Sequence, residues 1–186
     1  RGGYVTFSDI AGVVWARESI EDLASRGIVS GAGEGIFLPD NHVKREEFIK
    51  ILMLTFGLTD KNAKCSFSDV KEGQWYYIYI ASAEKIGISK GKDDMTFGIG
   101  QDITREEMAV FVDRTVKYVN LTLPKKRTKQ EFDDSSEIGS YAEESIYKMQ
   151  QAGIINGMDE GKFAPKQNAT RAQSTKIIFE LINAIP

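Results

Sequence analysis

Cysteine and histidine are scarce in this chain of 186 residues. The single cysteine, Cys65, excludes an internal disulfide framework, and no serine or cysteine stands out as a catalytic partner for the only histidine, His42. No apolar run approaches the roughly 20 residues that a membrane-spanning helix needs, so we expect no membrane insertion. The net charge of −3 argues against a strong electrostatic attraction to nucleic acid, and no nucleic-acid-binding motif is present.

A tetrapeptide of the type Thr-Arg-Glu-Glu occurs three times. It is complete at residues 104–107, and related versions stand at 44–47 (Lys-Arg-Glu-Glu) and 170–173 (Thr-Arg-Ala-Gln). Apolar residues follow each copy at the i, i+3, i+4, i+7 spacing of one buried helix face. A threonine with Glu or Gln three residues later also forms a capping-box pattern. We therefore expect a helix to begin at each copy.

An arginine occupies the first helical position of every copy. Capping does not call for arginine there, and the partial positive charge of a helix N-terminus disfavours a cation. Three arginines at this position therefore suggest a binding role, in which each guanidinium joins the unpaired backbone N–H groups in holding an anion.

Other landmarks repeat at the same intervals. Arg45 and Arg105 are 60 residues apart, and Arg105 and Arg171 are 66 apart. Each unit begins with a Phe-x-Asp sequence and has a first helix that we expect to end before a glycine. The starting sequences are at 7–9, 67–69 and 132–134, the aromatics near the helix starts are Trp15, Trp75 and Tyr141, and the stop glycines are Gly27, Gly87 and Gly153.

These landmarks divide the chain into three units, 1–60, 61–124 and 125–186. A two-helix unit of this size is near the lower limit for folding alone. We therefore predict a mainly α fold in which three tandem helix-loop-helix repeats share one core and form one structural unit.

The repeats resemble the S-layer homology domain of bacterial cell-surface proteins. That repeat begins with Phe-x-Asp, continues through a Trp near the first helix and a Gly-Ile/Val-x-x-Gly stretch, and reaches a Thr-Arg-Ala-Glu motif. The Gly-Ile-x-x-Gly stretches here are 27–31, 87–91 and 153–157. The resemblance covers nearly the whole chain, and it implies that the three repeats form a pseudo-threefold spindle of helices.

The resemblance also implies a ligand: secondary cell wall polysaccharide, an anionic glycan that often carries a pyruvate ketal, bound in grooves between the lobes. The implied anion-binding residues are Arg45, Arg105 and Arg171, and the implied groove aromatics are Trp15, Trp75 and Tyr141. The positions where backbone or small polar groups would meet the sugar are Ser30, Gly31, Lys90, Gly91, Asn156 and Gly157. Lys44, beside Arg45, is a further ligand-binding candidate.

Four departures from the family pattern predict that the three sites are unequal. They are Lys44 for the capping threonine, Gln173 for glutamate, Tyr141 for tryptophan, and Ile99 where the other units have proline. The second unit matches best, since it contains Trp75 and Arg105, with Lys90 expected as a nearby cation. We therefore expect Arg105 to contribute most to binding.

Structural alternatives remain open for these residues. Each arginine could instead form a salt bridge with an acid of its own unit, such as Asp9, Asp69 or Asp134. Trp15 and Trp75 could pack in the core as well as stack on a sugar. The basic cluster at 125–129 is interpreted as a solvated linker, with a binding patch as the alternative.

An enzymatic or metal-binding interpretation has little support. Glycoside hydrolysis needs two acids in unlike environments, whereas Glu47 and Glu107 recur in matching places that capping explains. Other acids, such as Asp93-Asp94 and Asp159-Glu160, fall in loops that we expect to be exposed. The loop 91–95 lacks the alternating acids and closing glutamate of a calcium site. We expect no catalytic residue, no metal site and no cofactor.

The predicted function is noncovalent anchoring of a larger protein to the bacterial cell wall, outside the cell, by a module that we expect to be monomeric. The alternative is a structural module for protein–protein assembly of a surface lattice.

Overall fold

The computed structural model describes residues 5–158 and 161–186, and within them the protein is helical, with no β-strand. Two α-helices fall in each predicted repeat. They are α1 Val14–Ser25, α2 Arg45–Phe56, α3 Tyr77–Lys85, α4 Arg105–Tyr118, α5 Glu143–Gln151 and α6 Arg171–Asn183, with a short 3-10 turn at Ser135–Glu137. The mainly α fold with three tandem repeats is confirmed.

The three tetrapeptides begin α2, α4 and α6, as the sequence predicts. Thr104 Oγ1 accepts from the Glu107 N–H at 3.3 Å, and the Thr104 N–H donates back to the Glu107 carboxylate at 2.9 Å. Thr170 and Gln173 form the same box. Lys44 cannot accept a hydrogen bond through its ammonium group, so α2 keeps only the half in which the Lys44 N–H donates to Glu47 at 2.9 Å.

Glycines end the first helix of each repeat. Gly27, Gly87 and Gly153 have φ values of 74°, 80° and 75°, in the left-handed region that glycine adopts without steric penalty. The following isoleucine N–H then returns to the last turn, as from Ile88 to the Ala83 carbonyl at 2.9 Å. This closure starts the loop that carries the predicted sugar-contacting residues.

Helices pack between repeats rather than within them. The main contacts join α2 with α3, α4 with α5, and α6 with α1. Each lobe of the spindle is therefore built from the second helix of one repeat and the first helix of the next, with the last repeat returning to the first. One continuous core of buried apolar side chains runs through all three lobes.

A closed ring of backbone hydrogen bonds marks the pseudo-threefold axis. The Val43 N–H donates to the Ala169 carbonyl at 3.0 Å, the Ala169 N–H donates to Ile103 at 2.9 Å, and the Ile103 N–H donates to Val43 at 2.9 Å. All three side chains are buried. The ring ties together the segments that lead into α2, α4 and α6, and so it fixes the three arginines around one axis.

Candidate ligand-binding grooves

Each of the three arginines reaches into the loop of the following repeat. The Nε atoms of Arg45, Arg105 and Arg171 donate to the carbonyls of Phe97, Phe163 and Phe37 at 3.0, 2.9 and 2.9 Å. Each guanidinium also lies over the ring of that phenylalanine, 4.5 to 4.9 Å from its centre, where a cation is attracted to the aromatic face. The arginines therefore tie neighbouring repeats together.

The alternative interpretation, in which each arginine forms a salt bridge with Asp9, Asp69 or Asp134 of its own unit, is wrong. Asp69 accepts hydrogen bonds from the N–H groups of Phe97, Gly98 and Ile99 at 2.8 to 2.9 Å, and Asp9 and Asp134 accept from the matching loops. Burial opposes ionisation of Asp69, but these N–H groups outweigh it and lower its pKa. In each loop, the acid accepts hydrogen bonds from backbone N–H groups, while an arginine of the preceding repeat donates to a backbone carbonyl.

The expectation that free helix N–H groups hold the anion is also wrong for α4 and α6. The first two N–H groups of α4, from Arg105 and Glu106, donate to the carbonyls of Gln167 and Pro165 at 2.9 and 3.0 Å. Arg171 and Ala172 of α6 donate likewise to Asn41 and Pro39. Loop carbonyls of the neighbouring repeat thus occupy the groups that an anion would use.

The Arg171 groove is a cavity of about 500 Å³ lined by all three repeats. Arg171 donates through Nη2 to the Ser30 carbonyl at 2.7 Å, and Gly31 lies in the same wall. Trp75 and Tyr79 of the second repeat also line this cavity, and Lys50 Nζ lies 5.5 Å from the Trp75 ring centre.

The Arg105 groove has the same plan and a volume of about 450 Å³. Arg105 donates through Nη2 to the Asn156 carbonyl at 3.2 Å. Gly157 lies beside Asn156, and Trp15 comes from the first repeat. Lys176 supplies a second cation, although its Nζ pairs with Glu180 at 2.6 Å.

We call the surroundings of Arg45, where Arg114 and Tyr141 are close enough to interact with it electrostatically, the Arg45 groove, by equivalence with the other two sites. Arg45 Nη1 forms a salt bridge with Glu107, and burial and a hydrogen bond to Glu106 raise the pKa of the nearby Tyr141 hydroxyl. Arg114 donates to the Ile88 carbonyl at 3.0 Å. Lys90 and Gly91 follow in the same loop, where the Lys90 side chain is exposed.

The grouping of Trp75 and Lys90 with Arg105 in one unit is wrong. The cavity that contains Arg105 contains Trp15 from the first repeat and Asn156 from the third, whereas Trp75 lies in the Arg171 groove. Helices of different repeats form each lobe, so a binding site cannot belong to one repeat. The sequence shows the repeats but not the order in which they pack.

The three aromatic residues lie at the surface. Trp15, Trp75 and Tyr141 are 52%, 51% and 57% exposed, so the alternative of core packing is wrong for both tryptophans. A large ring held at a groove edge with an open face can stack on a sugar.

Close packing explains why glycines occupy the predicted sugar-contacting loops. A Cβ at Gly31, Gly91 or Gly157 would lie 2.6, 2.2 or 2.8 Å from the phenylalanine ring that begins the same repeat. These glycines therefore let the loop backbone rest on the ring, and any contact with a sugar is additional to that role.

The carboxylate partners distinguish the three arginines. Arg45 pairs with Glu107, and Arg171 Nη1 lies 3.6 Å from Glu47. The equivalent residue facing Arg105 is Gln173, whose Oε1 accepts from the Thr170 N–H at 3.1 Å. Of the residues that the structure describes, none accepts a hydrogen bond from Arg105 Nη1 and none forms an ion pair with this side chain.

Arg105 is only 4% exposed. Burial lowers the pKa of its guanidinium to about 10, with Asp134 opposing that shift, and so the group remains a cation at neutral pH. A buried cation without a carboxylate partner favours binding of an anion from outside.

Several residues at these grooves were missed by the sequence reasoning. Lys50 and Lys176 stand five residues after Arg45 and Arg171, a shared offset that could have identified them. Arg114 and Tyr79 have no such repeated signal. They face a groove only because a helix of another repeat packs against their own.

Lys44 lies outside the two cavities described above. Its Nζ pairs with Asp102 of the second repeat at 2.6 Å near the pseudo-threefold axis, and its role as a ligand-binding residue stays a prediction. Asp93 and Asp94 are exposed, as expected. Asp159 and Glu160 lie outside the described residues.

Within residues 5–158 and 161–186, no group of three or more His, Cys, Asp or Glu side chains could hold a metal ion. None of its helices has the length and apolar character needed to cross a membrane.

Comparison with known proteins gives a family match in all three repeats. The model of the S-layer homology domain family matches residues 6–49, 66–109 and 131–173, more than half of the chain. The amylopullulanase of Thermoanaerobacterium thermosulfurigenes is 36% identical over 95% of this chain, which spans 9% of that relative.

Two further relatives differ in kind. The endoglucanase of Bacillus sp. (strain KSM-635) is 32% identical over 95% of this chain and 18% of its own length. The S-layer protein sap of Bacillus anthracis is 30% identical over 93% of the chain and 21% of its own length. The chain thus spans less than a quarter of each of these relatives, and the activities that the enzymes are named for are not carried over to it.

Proposed function

The chain belongs to the S-layer homology domain family, and from this membership we propose that it anchors a larger protein noncovalently to the bacterial cell wall. The ligand proposed is a secondary cell wall polysaccharide with acidic groups, such as pyruvate ketals. Family membership and relatives named as S-layer proteins support a location at the cell surface.

The observation that carries the proposal is that Arg105 Nη1 has no partner among residues 5–158 and 161–186. In the other two grooves, a carboxylate of the protein itself occupies this place, from Glu107 or Glu47. Those pairs support the proposal that a carboxylate fits at this place. In the Arg105 groove, Gln173 leaves that place to the carboxylate of a ligand, and Trp15 offers a ring face to the adjoining sugar.

The three grooves differ in whether a protein carboxylate already pairs with the arginine. The Arg105 groove is proposed as the main site, because a ligand there does not have to displace a protein carboxylate. In the Arg45 and Arg171 grooves, Glu107 and Glu47 compete with the ligand and repel its negative charge. The proposed ranking thus keeps Arg105 first, with Trp15 rather than Trp75 as its aromatic partner.

Arg105→Gln tests the proposal, with Arg45→Gln as the matched control at the same helical position. We expect Arg105→Gln to reduce binding to purified wall polysaccharide by about tenfold to a hundredfold, the value of a hydrogen bond to a charged group. Arg45→Gln should reduce it much less. A melting curve for each variant separates lost binding from lost folding, because both arginines also hold a loop carbonyl.

The alternative, a module for protein–protein assembly in a surface lattice, makes a different prediction. It requires self-association of the chain without glycan, which light scattering over a concentration series detects. Concentration-dependent assembly together with no retention on purified wall polysaccharide would overturn the anchoring proposal.

A further inference from the structure

The linker between the second and third repeats is held against the third repeat. The Arg105 to Arg171 interval exceeds the Arg45 to Arg105 interval by six residues. The Lys126 and Arg127 N–H groups both donate to the Gln151 carbonyl at the end of α5, at 2.8 and 3.1 Å. The side chains of the basic cluster 125–129 are exposed, as the solvated interpretation predicts, but backbone hydrogen bonds fix the position of Arg127.

The fixed backbone directs the Arg127 side chain to the Arg105 groove. Arg127 Nη1 donates to Asn156 Oδ1 at 2.6 Å, and the backbone carbonyl of the same Asn156 accepts from Arg105 Nη2 at 3.2 Å. Asn156 therefore lies between two guanidinium groups, a buried one on its backbone side and an exposed one on its side-chain side. Ser30 and Lys90, at the corresponding positions, have no carboxamide oxygen that could hold an arginine in this way.

Two guanidinium groups flank Asn156, those of Arg105 and Arg127. Neither Arg105 nor Arg127 forms an ion pair with a described carboxylate, while Lys176 is balanced by Glu180. Arg127 uses one nitrogen for Asn156, which leaves donors for a second acceptor. Guanidinium groups bind carboxylate and phosphate through two parallel hydrogen bonds.

We propose that Arg127 is a second anion-binding residue of the Arg105 groove, so that this groove takes a stretch of glycan with acidic groups on two sugars. The inference rests on the proposed function. Arg105 holds the first acidic group through Nη1 inside the groove. Arg127 holds the next acidic group along the polymer at the groove's outer edge, on the far side of Asn156. Recognition thus depends on the spacing of charges along the glycan.

Calorimetric titration of the full chain with two wall fragments tests this inference. One fragment carries a single acidic sugar and the other carries two. Arg127→Gln should weaken binding of the two-acid fragment by about tenfold and leave the one-acid fragment within about twofold. Lys125→Gln is the matched control, because it removes the same charge from the same exposed linker, and it should leave both affinities within about twofold.

Several results would overturn the inference. They are an unchanged affinity of Arg127→Gln for the two-acid fragment, equal losses in Arg127→Gln and Lys125→Gln, and equal losses for both fragments. A lower melting temperature of Arg127→Gln with unchanged affinity would assign Arg127 a structural role only.

The same titrations separate this inference from the proposed function. If the wild-type chain binds, Arg105→Gln binds at least about tenfold more weakly, and Arg127→Gln binds normally, only the role of Arg127 is overturned. If the wild-type chain binds neither fragment, the anchoring function fails, and the role of Arg127 fails with it.

Discussion

Replacing Gln173 by glutamate should close the Arg105 groove to an anionic ligand. The substitution gives Arg105 the carboxylate partner that Arg45 and Arg171 already have in Glu107 and Glu47. Capping should survive, since Glu107 shows that glutamate at this position accepts from the N-cap N–H. The variant therefore changes the charge of the groove and little else.

The expected magnitudes follow from the burial of Arg105. Burial lowers its pKa from 12.5 to about 10, which corresponds to a desolvation cost on the order of 3 kcal/mol for the cation. A new carboxylate should recover about 1 kcal/mol of this, because the side chains of Glu107 and Glu47 are themselves 22% and 35% exposed. For a protein of this size, that gain raises the melting temperature by roughly 2–4 °C.

The affinity for glycan should change in the opposite direction. The new carboxylate occupies Arg105 Nη1 and repels an incoming anion, so we expect binding to weaken by about tenfold or more. Glu107→Gln is the reciprocal variant: it keeps the cap, as Gln173 does, but leaves Arg45 unpaired, and so it should melt lower and bind more tightly. Calorimetry and thermal melts on both variants measure the two effects. A Gln173→Glu variant that melts higher yet binds with wild-type affinity would refute the assignment of Arg105.

Three other predictions concern the fold. The isolated second repeat, residues 61–124, should show no cooperative melting transition as a monomer by circular dichroism, because α3 and α4 pack mainly on helices of other repeats; a sharp transition would contradict shared packing. Thr170→Ala should lower the free energy of unfolding by about 1 kcal/mol through loss of the cap. Lys44→Thr gains a cap but loses the Asp102 pair, so a large loss of stability of Lys44→Thr in denaturant titrations would count against the capping argument. The pKa of Asp69 is below its unfolded value of 3.8, so its contribution to stability is present above that pH and is lost as the pH falls through the folded-state pKa. The melting temperature of Asp69→Asn should therefore depend less steeply on pH than that of the wild type below about pH 4. Equal pH dependence of the two melting temperatures would exclude this contribution of Asp69.

The sequence predicts local structure well because the relevant signals are local. Capping boxes at Thr104 and Thr170, stop glycines and apolar spacing each depend on residues within about one helical turn or two. These signals predict the positions of the helices. The exceptions are the starts of α3 and α5, which lie two residues after the aromatic residue at which each helix was expected to begin.

The composition of the grooves was not predictable in the same way. Arg105 contacts Phe163 and Asn156, residues 58 and 51 positions away, and Trp15 joins them only because α1 packs on α6. A repeat pattern is the same whether helices pair within a repeat or between repeats. The pairing is set by the backbone ring of Val43, Ile103 and Ala169 and by the shared core, which no single repeat reveals.

The central claim is that Arg105 and its groove bind an acidic group of the wall glycan. The most direct measurement is calorimetric titration of the wild-type chain with one wall polysaccharide fragment, before and after removal of its carboxylate-bearing pyruvate group. We expect saturable binding of the intact fragment and a loss of affinity of about tenfold or more after removal. Equal affinity for the two fragments, or no binding of either, would contradict it.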